Sequence, residues 1–267
     1  MAQPLLPEEL WKEIEPLLPV PRLMPDGGRP PFSNRSCLIG IIFVLKTGIP
    51  WRFLPRELGC GSGVTCWRRL RDWTQVGVWP KVHAKLVKIL GQRGQLDRSR
   101  GVIDSASVRA VFWGAHTGPN PTDRAKKGCK RHLLTDRNGV PLIVRTTPAN
   151  VPDGSMAMTL LDNLPPLHGR FGRPRLRPRE LVGDRAYGSL ANQVRCACRG
   201  VIPMLAEKHE PHGSGLGRAR YVVERTLAWF SNFRRIKICY EKCGQHFQAL
   251  HDLTAALICA NKLRLAG

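Results

Sequence analysis

Apolar positions recur along this chain with two different periods, and the change comes near residue 100. Before it they return every three or four residues, the spacing of amphipathic helices, with proline and glycine in the gaps. Leu10, Trp11, Ile14 and Leu18 mark one side of a helix over 8–18, stopped by Pro19 and Pro21. A loop through Asp26, Gly27, Gly28 and Pro30 leads to Ser33 or Asn34, either of which caps a helix running to Lys46. That helix is apolar nearly all round and is therefore expected at the centre of its part, with Gly48 and Pro50 as its stop. Thr65 caps a short third helix in which Trp67, Leu70 and Trp73 point inward and Arg68, Arg69 and Arg71 outward, the pattern of a DNA-facing helix of helix-turn-helix type. A fourth helix, 80–90, ends at Gly91, and the polar stretch to Arg100 reads as a linker.

Beyond residue 100 the pattern becomes short apolar runs bounded by turns, the signature of strands. Val102 and Ile103 lead into Asp104 and on to Val108; Leu181, Val182 and Gly183 lead into Asp184. Residues 114–131 read as a mobile basic loop, and 132–136 with 140–148 as a hairpin around Asn138-Gly139. A helix starts at Asp153 or Gly154, a second spans 190–198, a strand spans 201–205, and a loop over 208–220 precedes helices at 220–237 and 247–263. Strand, hairpin, strand, helix, strand, helix is the order of an α/β fold with a mixed sheet flanked by helices. The expected organisation is an all-α part, 1–95, and a sheet-containing part, 96–267.

Charge narrows the partner. Among 267 residues, 42 are Lys or Arg and 20 are Asp or Glu, for a net charge of +22. The excess runs through the whole chain, which favours a broad surface for a polyanion, with double-stranded DNA the expected partner. The apolar run Cys37 to Leu45 is far short of the roughly 20 residues that span a bilayer, and no long basic amphipathic helix suits a membrane surface. No small-molecule substrate is expected. Nine cysteines and an opening MAQPLLPEEL without a secretion pattern fit a reduced cytoplasm, and neither Cys196/Cys198 nor Cys239/Cys243 has the companion spacing of a zinc site.

Three acids carry the candidate chemistry. On an ideal helix, Arg220, Glu224, Ser231 and Arg235 fall within roughly a 60° sector, and Val223, Leu227 and Phe230 form a separate apolar stripe. Taken alone, that charged sector is also what a solvated salt-bridging face looks like. Asp104 and Asp184 stand at the ends of apolar strands, where no packing role explains an acid. Together the three supply hard oxygen ligands suited to two Mg²⁺ or Mn²⁺ ions, which can activate an attacking oxygen and steady a leaving one at a phosphodiester.

The segments around these acids, GVIDSASVRA, LVGDRAYGS and RYVVERTLAWFSNFRRIK, resemble the active-site segments of DDE transposases of bacterial insertion sequences, in particular the IS5 family within the IS4-like group. GRPP, TGIPWRFLPREL and TCWRRLRDW are similar to that family's helical leader, so the resemblance covers nearly the whole chain. It implies an RNase H-like catalytic domain with Asp104, Asp184 and Glu224 as catalytic and metal-binding residues. It further implies cleavage at inverted-repeat ends, strand transfer into target DNA, a homodimer or higher synaptic assembly, and a location on the bacterial nucleoid. In the family's signature around the glutamate, Arg220 and Glu224 match, while Gly217 stands where Tyr is expected and Ser231 where Lys is. Tyr221, Arg234 and Arg235 are the neighbours placed to take over their phosphate contacts. Lys126, Lys127, Lys130 and Arg131 are expected to grip the DNA backbone, and Tyr187 to support the site. His132 and His246 are expected to be structural, Trp229 and Phe230 core residues or stacking platforms. Two other readings share these features: an RNase H-like nuclease without strand transfer, and a non-catalytic DNA-binding protein derived from a transposase.

Overall fold

The computed structural model describes residues 4–20, 30–206 and 216–265. The expected loop at 26–28, with Pro21, and most of the loop over 208–220 lie outside them.

The leader contains α1 (Glu8–Ile14), α2 (Asn34–Thr47), α3 (Gly63–Gln75) and α4 (Val78–Gln92). Ser33 caps α2 by accepting the Ser36 N–H, and Gly48 at φ 74° ends it in the left-handed conformation. The cap of α3 is Ser62, not Thr65; its hydroxyl accepts the Thr65 N–H. Cys66, Leu70 and Trp73 are buried, while Trp67 packs edge-on to His246.

The rest is a mixed sheet with helices on both faces: β1 (Arg100–Arg109), β2 (Gly118–Pro119), β3 (Lys127–Asp136), β4 (Pro141–Pro148), α5 (Met156–Asp162), β5 (Glu180–Gly183), α6 (Leu190–Ala197), β6 (Ile202–Leu205), α7 (Leu216–Ser231), α8 (Arg234–Lys237) and α9 (Gly244–Leu265). β1 is central, antiparallel to β3 on one side and parallel to β5 on the other; β4 and β2 extend the β3 edge and β6 the β5 edge. This is the RNase H-like arrangement, a hairpin beside a central strand and parallel strands beyond it.

Alternation along the strands divides the core in two. Val102, Val108, Leu133, Val144 and Val182 face α7, α9 and the leader. Ile103, Leu134, Ile143 and Leu181 face α5 and α6. The first of these clusters runs without interruption from Leu6 and Leu10 through α2, α3 and α4 into α9, so the apolar core does not divide at residue 95. The longest helix, α9, packs on α4 on one side and on β4 on the other.

Two expected elements differ. The basic segment 114–131 is not a mobile loop: β2, a tight turn and the first half of β3 occupy it. Asn120 organises the turn, its side chain accepting from Thr122 and its backbone bonding to Ala125 and Lys126, and Arg124 and Ala125 take φ of 50° and 56°. The single helix expected over 220–237 is two, because Asn232 and Phe233 turn back onto Trp229 and Phe230 after Ser231.

Candidate functional site

Asp104 does not end its strand as expected but stands in the middle of β1, which continues to Arg109, and strand parity sets its direction. Asp104 shares its direction with Val102 and so faces α7, whereas Ser105 shares that of Ile103 and faces α5. Asp184 follows β5 directly; Gly183 before it sits so close to Ile103 and Leu205 that a Cβ would come within 2.9 and 3.0 Å of their side chains, which keeps β5 tight against its neighbours. Glu224 comes from α7, whose Val223, Leu227 and Phe230 are buried as the stripe requires. The helix is clasped by the β3–β4 turn: the Thr226 hydroxyl donates to Gly139 O at 2.9 Å and the Arg225 guanidinium to Asn138 O at 3.2 Å.

These three elements bring Asp104, Asp184 and Glu224 around one cation. Arg220 Nη2 lies 3.7 Å from Asp104 Oδ2, 3.9 Å from Asp184 Oδ2 and 3.6 Å from Glu224 Oε1. Burial pushes the Asp104 carboxyl up to about 6, assisted by the charges of Asp184 and Glu224 and opposed by the Ser105 N–H and Arg220. Among the described residues no three carboxylate, imidazole or thiolate groups stand close enough together to hold a metal as they are. The guanidinium stands between the acids instead, a monovalent stand-in for a cation. A wholly oxygen donor set, shared by one positive charge and including a carboxyl that resists ionisation, fits a hard divalent ion.

On the α5 face lies a polar cluster that sequence reasoning missed. The Ser105 hydroxyl donates to Asp153 Oδ1 at 2.7 Å, and Lys130 Nζ lies 2.9 Å from the same oxygen while also donating to Val151 O. His132, fully buried, holds Thr147 through Nε2 and stands with Nδ1 3.8 Å from Asp153; burial lowers its pKa to about 4. Tyr187 is buried beneath both clusters, its hydroxyl without a hydrogen-bond partner and its pKa raised by burial and by Asp153, Asp104 and Asp184. The sequence signal for Asp153 was only that of a helix start.

Several expected DNA contacts are placed otherwise. Arg235 is buried, its guanidinium donating to Glu241 Oε1 at 2.9 and 2.6 Å, and cannot replace a phosphate-binding lysine while that pair holds. Lys130 is engaged inside, as described. Arg131 is buried too, donating to Ile236 O at 2.8 Å, with its pKa lowered to about 10 by burial. Arg69 donates to Asn34 and Phe32 O within the leader. Arg68, Lys126 and Arg234 are exposed; Arg71 pairs with Asp72 and Lys127 lies against Trp113. His132 is structural, and Phe230 is a core residue. Trp229 is half-buried between Arg225 and Lys262, and Ser231 bonds back to Leu227 O.

Profiles of known families cover the chain in two pieces. One of transposases of the IS4/5 family matches residues 6–83, and one of the transposase DDE domain matches residues 95–259. The chain belongs to the IS4/5 family of DDE transposases. A protein assigned as transposase for the insertion sequence element IS402 of Burkholderia cepacia is 45% identical over 170 residues, which are 63% of this chain and 78% of that one. A 16.2 kDa protein of the same element is 55% identical over 123 residues, 45% of this chain and 84% of that one. Among solved structures, a Mos1 transposase paired-end complex aligns over 90% of this chain and 82% of that one, at 12% identity and a TM-score of 0.28, too loose an overlay to bear on the site. The transposase thus performs divalent-metal-dependent DNA cleavage and strand transfer. Among the described residues no helix is long and apolar enough to cross a membrane.

Proposed function

We propose that Asp104, Asp184 and Glu224 are the catalytic carboxylates of this transposase and hold two divalent ions, Mg²⁺ or Mn²⁺. The observation that carries the reading is the convergence of all three on Arg220. When bound, the ions supply activation of the attacking oxygen and charge neutralisation at the phosphate. The chain's own residues do the rest. Asp104 and Asp184, set by adjacent strands, fix one side of the site, and Glu224 closes it from α7. Arg220 keeps the carboxylates from repelling one another before metal arrives and then turns its guanidinium, suited to paired phosphate oxygens, toward the DNA strand. Tyr187, held rigid below, fixes the floor on which the two aspartates stand. Arg68, Lys126 and Arg234 contact the backbone of the element's inverted-repeat ends, with a dimer or larger assembly holding two ends together.

The test is cleavage and joining of a labelled duplex bearing the element's own ends, with Mg²⁺ or Mn²⁺, by the natural chain and by Glu224→Gln. Joined products that disappear in the variant support the assignment. Nicking without joining by the natural chain favours a plain nuclease, and joining that survives the substitution removes Glu224 from the site.

A further inference from the structure

Beyond the carboxylates, β1 delivers the chain to an unusual surface. Val111, Phe112 and Trp113 are consecutive and exposed, Trp113 by 58%, and Tyr240 from the segment before α9 is exposed beside them in the fold. Large apolar side chains so grouped on a surface mark a binding site. The surface is also rigid. Residues 109–111 and 239 form a short ladder, Cys239 N–H donating to Arg109 O at 2.8 Å and Val111 N–H to Cys239 O at 3.0 Å. Gly114 then passes so close to Lys242 that a Cβ would stand 2.5 Å from its carbonyl oxygen.

The charges around it have one sign. Lys127 Nζ lies 5.2 Å from the centre of the Trp113 ring and Lys242 Nζ 5.3 Å from that of Phe112. Arg109 and Lys237, on the two ladder segments, are exposed, whereas Glu241 is buried against Arg235. Rigid aromatic faces rimmed by ammonium groups are what unpaired nucleobases stack on, the bases covering the rings and the cations meeting the phosphates.

We infer that the Phe112–Trp113 platform binds unpaired bases of the DNA strand extending from the catalytic carboxylates. This rests on DNA being the partner of those carboxylates. From Asp104 to Ala110, β1 covers roughly 20 Å, at ~3.3 Å per residue. That span matches about six nucleotides if the strand stays stacked at ~3.4 Å each, and fewer if it is extended, so a six-nucleotide extension reaches the rings in either case.

The experiment compares binding of the full chain to a blunt duplex bearing the element's ends and to the same duplex with a six-nucleotide single-stranded extension, by fluorescence anisotropy over a range of salt. The natural chain is expected to prefer the extended duplex by roughly thirtyfold or more, the stacking contribution of two rings. Phe112→Ala/Trp113→Ala should abolish that preference while leaving blunt-duplex affinity and its salt slope unchanged, and Trp113→Phe should keep most of it. Lys242→Ala should reduce the salt slope by about one for the extended duplex and leave that of the blunt duplex unchanged. A preference that survives the double substitution overturns the inference. So does blunt-duplex binding with no preference in the natural chain, a result that leaves the transposase reading intact, whereas failure to bind either duplex removes both. A dimer in sedimentation that the double variant converts to monomer assigns the surface to self-association and also overturns it.

Discussion

Asp104 and Ser105 are neighbours on β1, yet the charges gathered on their two faces are arranged differently. Toward α7, three carboxylates share the Arg220 guanidinium at 3.6 to 3.9 Å, more acids than the cation can meet at hydrogen-bonding distance. Toward α5, one carboxylate meets one ammonium at 2.9 Å and a hydroxyl at 2.7 Å, with His132 uncharged beside them. The Arg235–Glu241 pair belongs to the second kind. Charges matched one to one at hydrogen-bonding distance have no need of a further partner. Charges left in excess at longer distance are waiting for a cation and for the anion that follows it, which separates a site from a scaffold built of the same residue types.

The largest effect expected is on the open cluster. Asp104→Asn should lower strand transfer by roughly a thousandfold or more, since a neutral amide cannot replace a carboxylate ligand. Its effect on stability has the opposite sign. Because the folded-state pKa of Asp104 is raised to about 6 from an ordinary 3.8, the folded chain binds more protons than the unfolded one between those values. Stability from this group is therefore present below about pH 4 and lost as pH rises through 6. In metal-free buffer, melting curves should show the Asn variant gaining on the natural chain from pH 4 to 6, with a constant advantage above; no gain would mean that Asp104 is not the desolvated group described.

The matched clusters should behave as scaffold. Arg235→Ala leaves Glu241 buried without its partner and should destabilise by about 3–5 kcal/mol, a drop in melting temperature of roughly 6–20 °C for a chain of this size. Lys130→Ala, where Asp153 keeps its bond from Ser105 and some solvent, should cost about 2 kcal/mol, with duplex affinity changed less than twofold. If Lys130→Ala instead abolished DNA binding without a change in melting, the distinction between matched and excess charge would fail. The smallest effect is expected at Lys126, exposed at the turn: Lys126→Ala should leave melting unchanged and reduce the salt slope of duplex binding by about one.

Much of this was legible in the sequence, for reasons that the exceptions make plain. The inward stripe of α7 and Asp184 just after β5 announce themselves through local periodicity, whereas Asp104 lies mid-strand because β1 runs on through polar residues, and the family resemblance adds the order of the acids. Arg131 and Arg235 escape, because each is buried by a group on another segment: Ile236 O and Glu241. A run such as KGCKRH looks like a loop until the partners that neutralise it are in place. The break after Ser231 carries no proline or glycine. Asp153 reads as a helix start because the lysine and serine that give it another role lie 23 and 48 residues before it.

The continuity of the core from α1 to α9 has a consequence for how the polypeptide is made. A ribosome releases the leader first, but the surface that covers α4 belongs to residues 244–265. Until those residues emerge, the side of α4 that α9 covers has no partner, so the leader cannot complete its packing before the chain is nearly finished. A leader exchanged between two such chains would have to fit the α9 of its new host, since α4 packs directly on that helix.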